Sequence, residues 1–311
     1  MANAPSFEDN VKGATVFQWN ARGLRSRLSD FRQFIFKYRF PILAISESRV
    51  APDFRLSGYE IFQSSRDSGT SRVFLALRKD LTYVSHNIQP HPSNEYVSVT
   101  VRKGKLTFTV IAAYIAPSCS FDADRLNTII RQCPPPFFVT GDFNAHNAAW
   151  GSARTTRRGG ELLDLMDDHD LFVLNDGTPT FIRGTRCSSC LDVSFTSREL
   201  VSQTSWFADI ETHGSDHTPT YITIPGFTFK DNRDLVSYTD WTCFQDNTEL
   251  KLQAPKTYNE FLSVIQQSVT ESKKCIHLPS SRTIVDAEYE RLRAIRRRAE
   301  RRARRTKLPE C

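Results

Sequence analysis

A succession of short apolar runs, most of them bordered by a polar residue at one end, constrains this 311-residue chain more than any other feature. Residues 14–20 read as a β-strand ending in a polar residue, Asn20. Residues 27–39 carry Leu28, Phe31, Phe34, Ile35 and Tyr38 at helical spacing. Pro41 ends that helix, and residues 41–46 read as a short buried strand running into Glu47. This strand–helix–strand order predicts a crossover unit. Further strands are predicted over 72–78, 81–88, 96–101, 106–113, 137–140, 191–196, 205–210 and 218–224. Helices are predicted over 121–132, stopped by the prolines at 134–136, and over 160–169. Many strands with interspersed helices imply two sheets packed face to face with helices outside.

The resulting domain is expected to cover 14–224, after an N-terminal tail of residues 1–13. A linker is expected over 225–246 and a helical extension over 247–311, with helices near 247–275 and 284–306. The extension is Arg-rich from residue 282. Between Arg282 and Lys307 stand eleven Lys or Arg and four Asp or Glu, so the net charge of +6 belongs to this segment and the rest is near neutral. Such a run suits RNA or DNA phosphates, a nuclear localisation signal or a solvated helix.

A 39% hydrophobic and 24% charged composition is that of a soluble globular protein. No run approaches the roughly 20 apolar residues that span a membrane. The N-terminus lacks the basic and apolar regions of a secretory signal, so a nuclear or cytoplasmic location is expected. Seven dispersed cysteines fit a reducing compartment. Cys187 and Cys190 form a lone C-x-x-C without two further zinc ligands at readable spacing.

The polar residues at the strand ends have a common chemistry. Magnesium takes hard oxygen ligands, usually one or two protein carboxylates, and Glu47 and Asp216 are suitable. Asp142 can orient a water and relieve it of a proton, and the Asn144 amide can hold that water or a phosphate oxygen. Charge on phosphoryl oxygens needs donors such as His217, Asn144 and Tyr114. A catalytic histidine needs a partner to fix its tautomer, a part open to Asp192. Each residue alone has a plainer reading. Glu47 suits a solvated turn, Tyr114 a packed aromatic, and Gly-Asp-x-Asn at 141–144 or Ser-Asp-His at 215–217 a surface turn.

Taken together, Gln18-Trp-Asn20, Ser46-Glu47-Ser48, Tyr114, Gly141-Asp-Phe-Asn-Ala-His146, Leu191-Asp192 and Ser215-Asp-His217 resemble the endonuclease/exonuclease/phosphatase superfamily. Within it, 14–224 is similar to the apurinic-type endonuclease domain of non-LTR retrotransposons. The resemblance implies a four-layered α/β sandwich. It implies a metal on Glu47, supported by Asn20, with Mg2+ expected and Mn2+ a substitute. It further implies water activation by Asp142, positioning by Asn144, and charge stabilisation by His217 held by Asp192. Asp216 would assist metal or water, Tyr114 would contact phosphate, and His146 would line the site or touch DNA. Whether Asp142 or His217 is the general base stays open. Arg22, Arg25 and residues 154–158, Arg154 among them, are candidate phosphate contacts. Ser46 stands where the family has a glutamine, which puts the metal's support in doubt. No polymerase signature follows, so the chain is expected to be a piece of a longer element or a truncated copy. The expected function is a DNA-nicking endonuclease that leaves a 3′-hydroxyl for reverse transcription. A phosphatase or phosphodiesterase for lipid headgroups or small phosphates is the alternative, with an inactive nucleic-acid-binding relic behind it.

Overall fold

The computed structural model describes residues 15–64, 70–183, 187–225, 227, 236–251 and 257–276. The tail 1–13 and the Arg-rich segment from 282 lie outside these residues. The chain divides between Thr228 and Phe229 into a large unit and a smaller one.

The large unit begins with the predicted crossover. Strand β1 (Val16–Asn20) pairs in parallel with β2 (Ile42–Val50) through helix α1 (Leu28–Tyr38). Phe31, Phe34 and Ile35 are the buried residues of α1, and Arg39 closes it in a left-handed cap with its N–H on the Ile35 carbonyl. Then follow β3 (Tyr59–Gln63), β4 (Ser71–Arg78), β5 (Thr82–His86), β6 (Asn94–Lys103) and β7 (Leu106–Ile115). Helix α2 (Ala123–Gln132), capped by the Asp122 carboxylate, makes the second crossover, from β7 to a parallel β8 (Phe137–Asp142). Helix α3 (Arg157–Asp168), β9 (Leu171–Val173), β10 (Phe181–Arg183), β11 (Cys187–Ser189), β12 (Asp192–Ser197), α4 (Arg198–Val201), β13 (Ser205–Ala208) and β14 (Thr220–Thr223) complete it.

Two six-stranded sheets result, ordered β13-β14-β1-β2-β4-β3 and β5-β6-β7-β8-β12-β9. Each has one parallel pair at its centre, with antiparallel strands on either side. The pleat sorts side chains by parity. Phe17, Trp19, Leu43, Ile45 and Phe74 share a core with α1 on the outside of the first sheet. Ile111, Ala113, Phe137, Val139, Val193 and Phe195 share one with α2 and α3 outside the second. Burial of each large side chain contributes about 1.5–3 kcal/mol. The intervening residues, Gln18, Asn20, Ser46, Tyr114, Thr140, Asp142, Asp192 and Ser194, face the space between the sheets. The layers are therefore helix, sheet, sheet, helix: the four-layered sandwich expected.

Several expectations shift at their edges. Helix α3 starts at Arg157, three residues before the predicted 160, because the Thr156 hydroxyl caps it at Gly159. Strand β2 runs past Ser46 to Val50 through a bulge. Strands β3, β9, β10 and β11 were not predicted. They are short, lie at sheet edges or form a two-stranded ribbon, and carry little apolar alternation.

The smaller unit departs further. The linker expected over 225–246 contains β15 (Val236–Thr239), and α5 (Trp241–Lys251) begins inside it. The single helix expected over 247–275 is described as α5 and α6 (Tyr258–Glu271), with Pro255 between them, where a helix interior would lose a backbone donor. Strand β16 (Lys273–Ile276) pairs with β15. The helix expected over 284–306 lies outside the described residues.

Gly141 sits where β8 meets β7, with φ +153°, and a Cβ there would stand 2.0 Å from the Ala113 carbonyl oxygen. Gly160 has nothing within 4 Å of such a Cβ. Urea unfolding should therefore show Gly141→Ala losing roughly 3 kcal/mol, and Gly160→Ala unchanged or gaining up to about 1 kcal/mol.

Candidate active site

A parallel pair ends both its strands at the same edge, and an antiparallel neighbour begins there. This geometry assembles the predicted residues. Asn20 ends β1 opposite Ser46 of β2, and Tyr114 lies opposite Asp142 at the end of β8. Asp192 opens β12 directly opposite Asp142. His217 follows a turn just before β14 and is bridged to Phe181.

Asp142 is buried, 1% exposed. Its Oδ2 accepts Asn20 Nδ2 at 2.7 Å and Asn144 Nδ2 at 3.0 Å, and its Oδ1 accepts the Asn144 backbone N–H at 2.9 Å. Asn20 Nδ2 also reaches Glu47 Oε1 at 3.3 Å, which Tyr114 Oη meets at 3.2 Å. Asn20 thus spans the two sheets and two carboxylates. Its side-chain Oδ1 accepts the Arg22 backbone N–H at 2.9 Å. Glu47 (φ +45°) and Asn144 (φ +47°) both occupy the left-handed region, a strained backbone that such sites commonly hold.

His217 Nδ1 lies 2.6 Å from Asp192 Oδ2, and Asp192 Oδ1 accepts Gln18 Nε2 at 2.8 Å. Gln18 is fixed in turn by the Thr220 hydroxyl at 2.7 Å. Gln18 is the orienting residue to which sequence reasoning assigned no role. Its signal was a polar residue on the inner parity of a central strand. Ser215 ties the Ser-Asp-His turn to the Asn20 carbonyl at 2.7 Å, and Trp19 Nε1 donates to the His217 carbonyl at 3.1 Å. Ser46, in the glutamine's place, spends its hydroxyl on the Ala113 carbonyl at 3.0 Å.

In the motif 141–146, Phe143 and Ala145 belong to the outer core, while the side chains of Asp142 and Asn144 meet in the site. His146 is half-buried, and burial and the Arg154 charge lower its pKa. Its carbonyl packs on α3 so closely that a Cβ on Gly159 would lie 1.9 Å away. Arg158 holds the loop from the other side, donating to the carbonyls of Phe143, Asn144, Ala116, Pro117 and Cys119. Arg158 is therefore a strut and not the phosphate contact expected. Arg157 pairs with Glu161, while Arg154 and Arg25 are exposed. Arg22, mostly exposed, pairs with Asp216 at 2.9 Å, and Arg49 with Glu47 at 3.1 Å. The Cys190 thiol is buried on the carbonyls of Gly177 and Thr178.

Among the described residues no group of three or more His, Cys, Asp or Glu is arranged to hold an ion. The donor set instead fits a hard cation that takes one or two carboxylates and keeps the rest of its shell for water and phosphate. Glu47 meets that description, as does Asp216 by its chemistry, and Asn20 Nδ2 reaches Glu47. The guanidinium groups of Arg49 and Arg22 lie on the two carboxylates.

The electrostatics separate two roles. Burial pushes the Asp142 carboxyl up to about 7, with the Asp192 charge adding to it against the His217 cation and the donors on Asn144 and Asn20. Burial would lower His217, but the charge and hydrogen bond of Asp192, with Asp142 and Asp216, push it up to about 9. Burial and the carboxylates of Glu47 and Asp142 hold the Tyr114 phenol far above its ordinary range, so it stays a donor.

Comparison with known proteins agrees with the fold. The structure superposes on an endonuclease/exonuclease/phosphatase from Bacteroides vulgatus with a TM-score of 0.51 at 15% identity, over 68% of this chain and 98% of that one. This is the endonuclease/exonuclease/phosphatase fold. It also superposes on the endonuclease domain of TRAS1, a telomere-specific non-LTR retrotransposon, with a TM-score of 0.60 at 24% identity, over 67% of this chain and 96% of that domain. The family described as endonuclease-reverse transcriptase matches residues 108–221. In sequence the chain is 26% identical over 276 residues to a probable RNA-directed DNA polymerase from transposon BS of Drosophila melanogaster, covering 83% of this chain and 30% of that protein. It is 28% identical over 167 residues to the RNA-directed DNA polymerase from mobile element jockey of the same fly, covering 52% and 18%. The chain spans less than a third of the length of these relatives. The chain resembles the endonuclease domains of non-LTR retrotransposons.

Both buried groups favour their protonated forms in the folded state. The His217 contribution is full below its ordinary 6.5 and lost as pH rises toward about 9; that of Asp142 is lost between about 4 and about 7. Stability of the protein in chelator should therefore fall as pH rises from 6 to 9. Imidazole NMR should place the His217 midpoint near 9. Asp192→Asn should lower that midpoint, because burial is then opposed only by the smaller effects of Asp142 and Asp216, and flatten the stability profile.

Proposed function

We propose that this chain is a metal-dependent phosphodiesterase that nicks DNA and leaves a 3′-hydroxyl suited to priming reverse transcription. The observation that carries the reading is one bonded cluster from both sheets, Glu47–Asn20–Asp142–Asn144 beside Gln18–Asp192–His217. It combines an oxygen-donor half with a proton-handling half around a common edge.

Each residue has a task in an in-line displacement at phosphorus. Asp142, near neutral in its affinity for a proton, takes one from the attacking water. His217, held as a cation by Asp192, has Nε2 left to steady a phosphoryl oxygen. This division favours Asp142 as the base, since a histidine protonated up to about 9 has no vacancy for a proton at neutral pH. The water oxygen forms the new bond to phosphorus, and the bond to the 3′-oxygen breaks. That oxygen gains a proton from solvent and becomes the 3′-hydroxyl, while the 5′-phosphate stays on the other fragment. Glu47, with Asn20 and Asp216, would hold a magnesium ion, manganese substituting, which neutralises charge on the phosphate and leaving oxygen. Tyr114 keeps Glu47 oriented by its hydroxyl. The exposed Arg22 and Arg154 supply charge for the flanking backbone, and the Arg-rich segment from 282 supplies more, for DNA or RNA.

Supercoiled plasmid tests the reading. With magnesium the protein should convert it to the open circle, and chelator should stop it. Asp142→Ala and His217→Ala should each reduce the rate by at least about 100-fold. Intact plasmid together with hydrolysis of inositol phosphates would transfer the activity to small phosphates. Metal-independent DNA binding without nicking would leave a binding relic.

A further inference from the structure

One carboxylate beside the site takes no part in the chemistry above. Glu95, 1% exposed, lies directly across β6 and β7 from Tyr114. Its Oε2 accepts the Ser64 hydroxyl at 2.6 Å and the Arg72 backbone N–H at 3.2 Å. Its Oε1 stands 3.8 Å from Arg72 Nε. The Arg72 guanidinium lies over the Tyr114 ring, 5.8 Å from its centroid, and a third of the side chain stays exposed.

The surroundings link this group to the site. Ser64 and Ser71 hydroxyls are 2.9 Å apart, and the Ser71 carbonyl accepts the buried Ser48 hydroxyl at 2.9 Å. Ser48 stands in the β2 bulge, next to Glu47, and Tyr114 donates to Glu47 itself. Arg72 is thus set on the far wall of the carboxylate that would hold the metal.

Arg72 turns Nε toward Glu95, 3.8 Å away, and its face toward the Tyr114 ring. Its two Nη groups donate to nothing among the described residues. A partly exposed guanidinium with an anion at one edge and a ring at one face, and two Nη donors unspent, suits a planar or tetrahedral oxyanion.

We propose that Arg72 binds a phosphate of the nucleic-acid backbone on the Glu47 side of the reacting one, and that Glu95 is the positioning residue that aims it. The proposal rests on the nuclease reading. It assigns the Tyr114 ring a second task, as the shelf under the guanidinium.

The test uses the full chain and a short DNA duplex. Anisotropy is read in chelator, so that no cleavage occurs, and nicking kinetics are read with magnesium. Arg72→Ala should weaken binding roughly tenfold and reduce the slope of log affinity against log salt by about one. Arg72→Lys should keep the slope and recover only part of the affinity. Glu95→Gln should raise KM while kcat stays within about twofold, and add nothing to Arg72→Ala in the double variant. Circular dichroism checks each fold, and Arg72→Gln replaces Arg72→Ala if the latter fails it. A folded Arg72 variant with wild-type affinity and slope would sink the phosphate subsite while leaving the nuclease reading intact. Additive losses in the double variant would remove Glu95 as the positioning group. A wild-type chain that neither binds nor nicks DNA would overturn both readings.

Discussion

The buried carboxylate of Asp142 is the demand that the rest of the site is built to meet. A carboxyl removed from water needs donors, and here they come from three places: the β1 amide of Asn20, and the backbone and side chain of Asn144 in its own loop. The Asn20 bond crosses from one sheet to the other, so the two sheets are registered by a polar contact as well as by apolar packing. The left-handed turn at Asn144 is needed to bring both its donors round to one carboxyl. Gly159 then lets α3 approach the loop, and Arg158 ties its carbonyls down. Substituting Gly159→Ala would leave the chemistry's side chains in place in sequence and displace them in space.

The same demand separates two acid–base roles. Desolvation raises Asp142, while His217, equally buried, is raised because Asp192 supplies a charge and a hydrogen bond that outweigh desolvation. Gln18 matters here because it holds Asp192 from behind, with Thr220 fixing its other end. An amide can do this without adding charge. A lysine in that position would compete with His217 for the carboxylate, and an aliphatic residue would leave Asp192 Oδ1 without a donor.

Much of this was legible in the sequence, and the reason is the pleat. Gln18 and Asn20 stand two apart, as do Tyr114 and Ala112, Thr140 and Asp142, and Asp192 and Ser194, so that inner and outer faces separate by parity. The polar residues on the inner parity announced a site at the strand ends, and parallel crossovers placed those ends together. What the sequence did not disclose follows from geometry that parity does not encode. The β2 bulge that turns Glu47 inward has no glycine or proline to mark it. Strands such as Phe181–Arg183 are too short to show a period, although their ribbon braces His217 through the Phe181 ring, 5.0 Å away. Arg158 looked like its neighbours Arg154 and Arg157 because five carbonyls from two distant loops converge on it only in the folded chain.

Charge is distributed in a way that fits the proposed action of a near-neutral domain on a polyanion. The site itself concentrates carboxylates, Glu47, Asp142, Asp192 and Asp216, which would repel a phosphate. Compensation is local: Arg49 lies on Glu47, Arg22 on Asp216 and His217 on Asp192. Each of the two arginines is more than 60% exposed, so these pairs contribute little stability and exchange readily. Under the proposed function, surface guanidinium groups in that position would be free to trade a carboxylate for a phosphate once a cation held the carboxylate. The buried pair of Asp192 and His217 has no such freedom, because both partners are desolvated and fixed by Gln18 and the Ser-Asp-His turn. Mobility of charge at the rim and rigidity at the centre are therefore two consequences of one gradient in burial, which runs from the inner faces of the sheets out to the loops beyond β1 and β2.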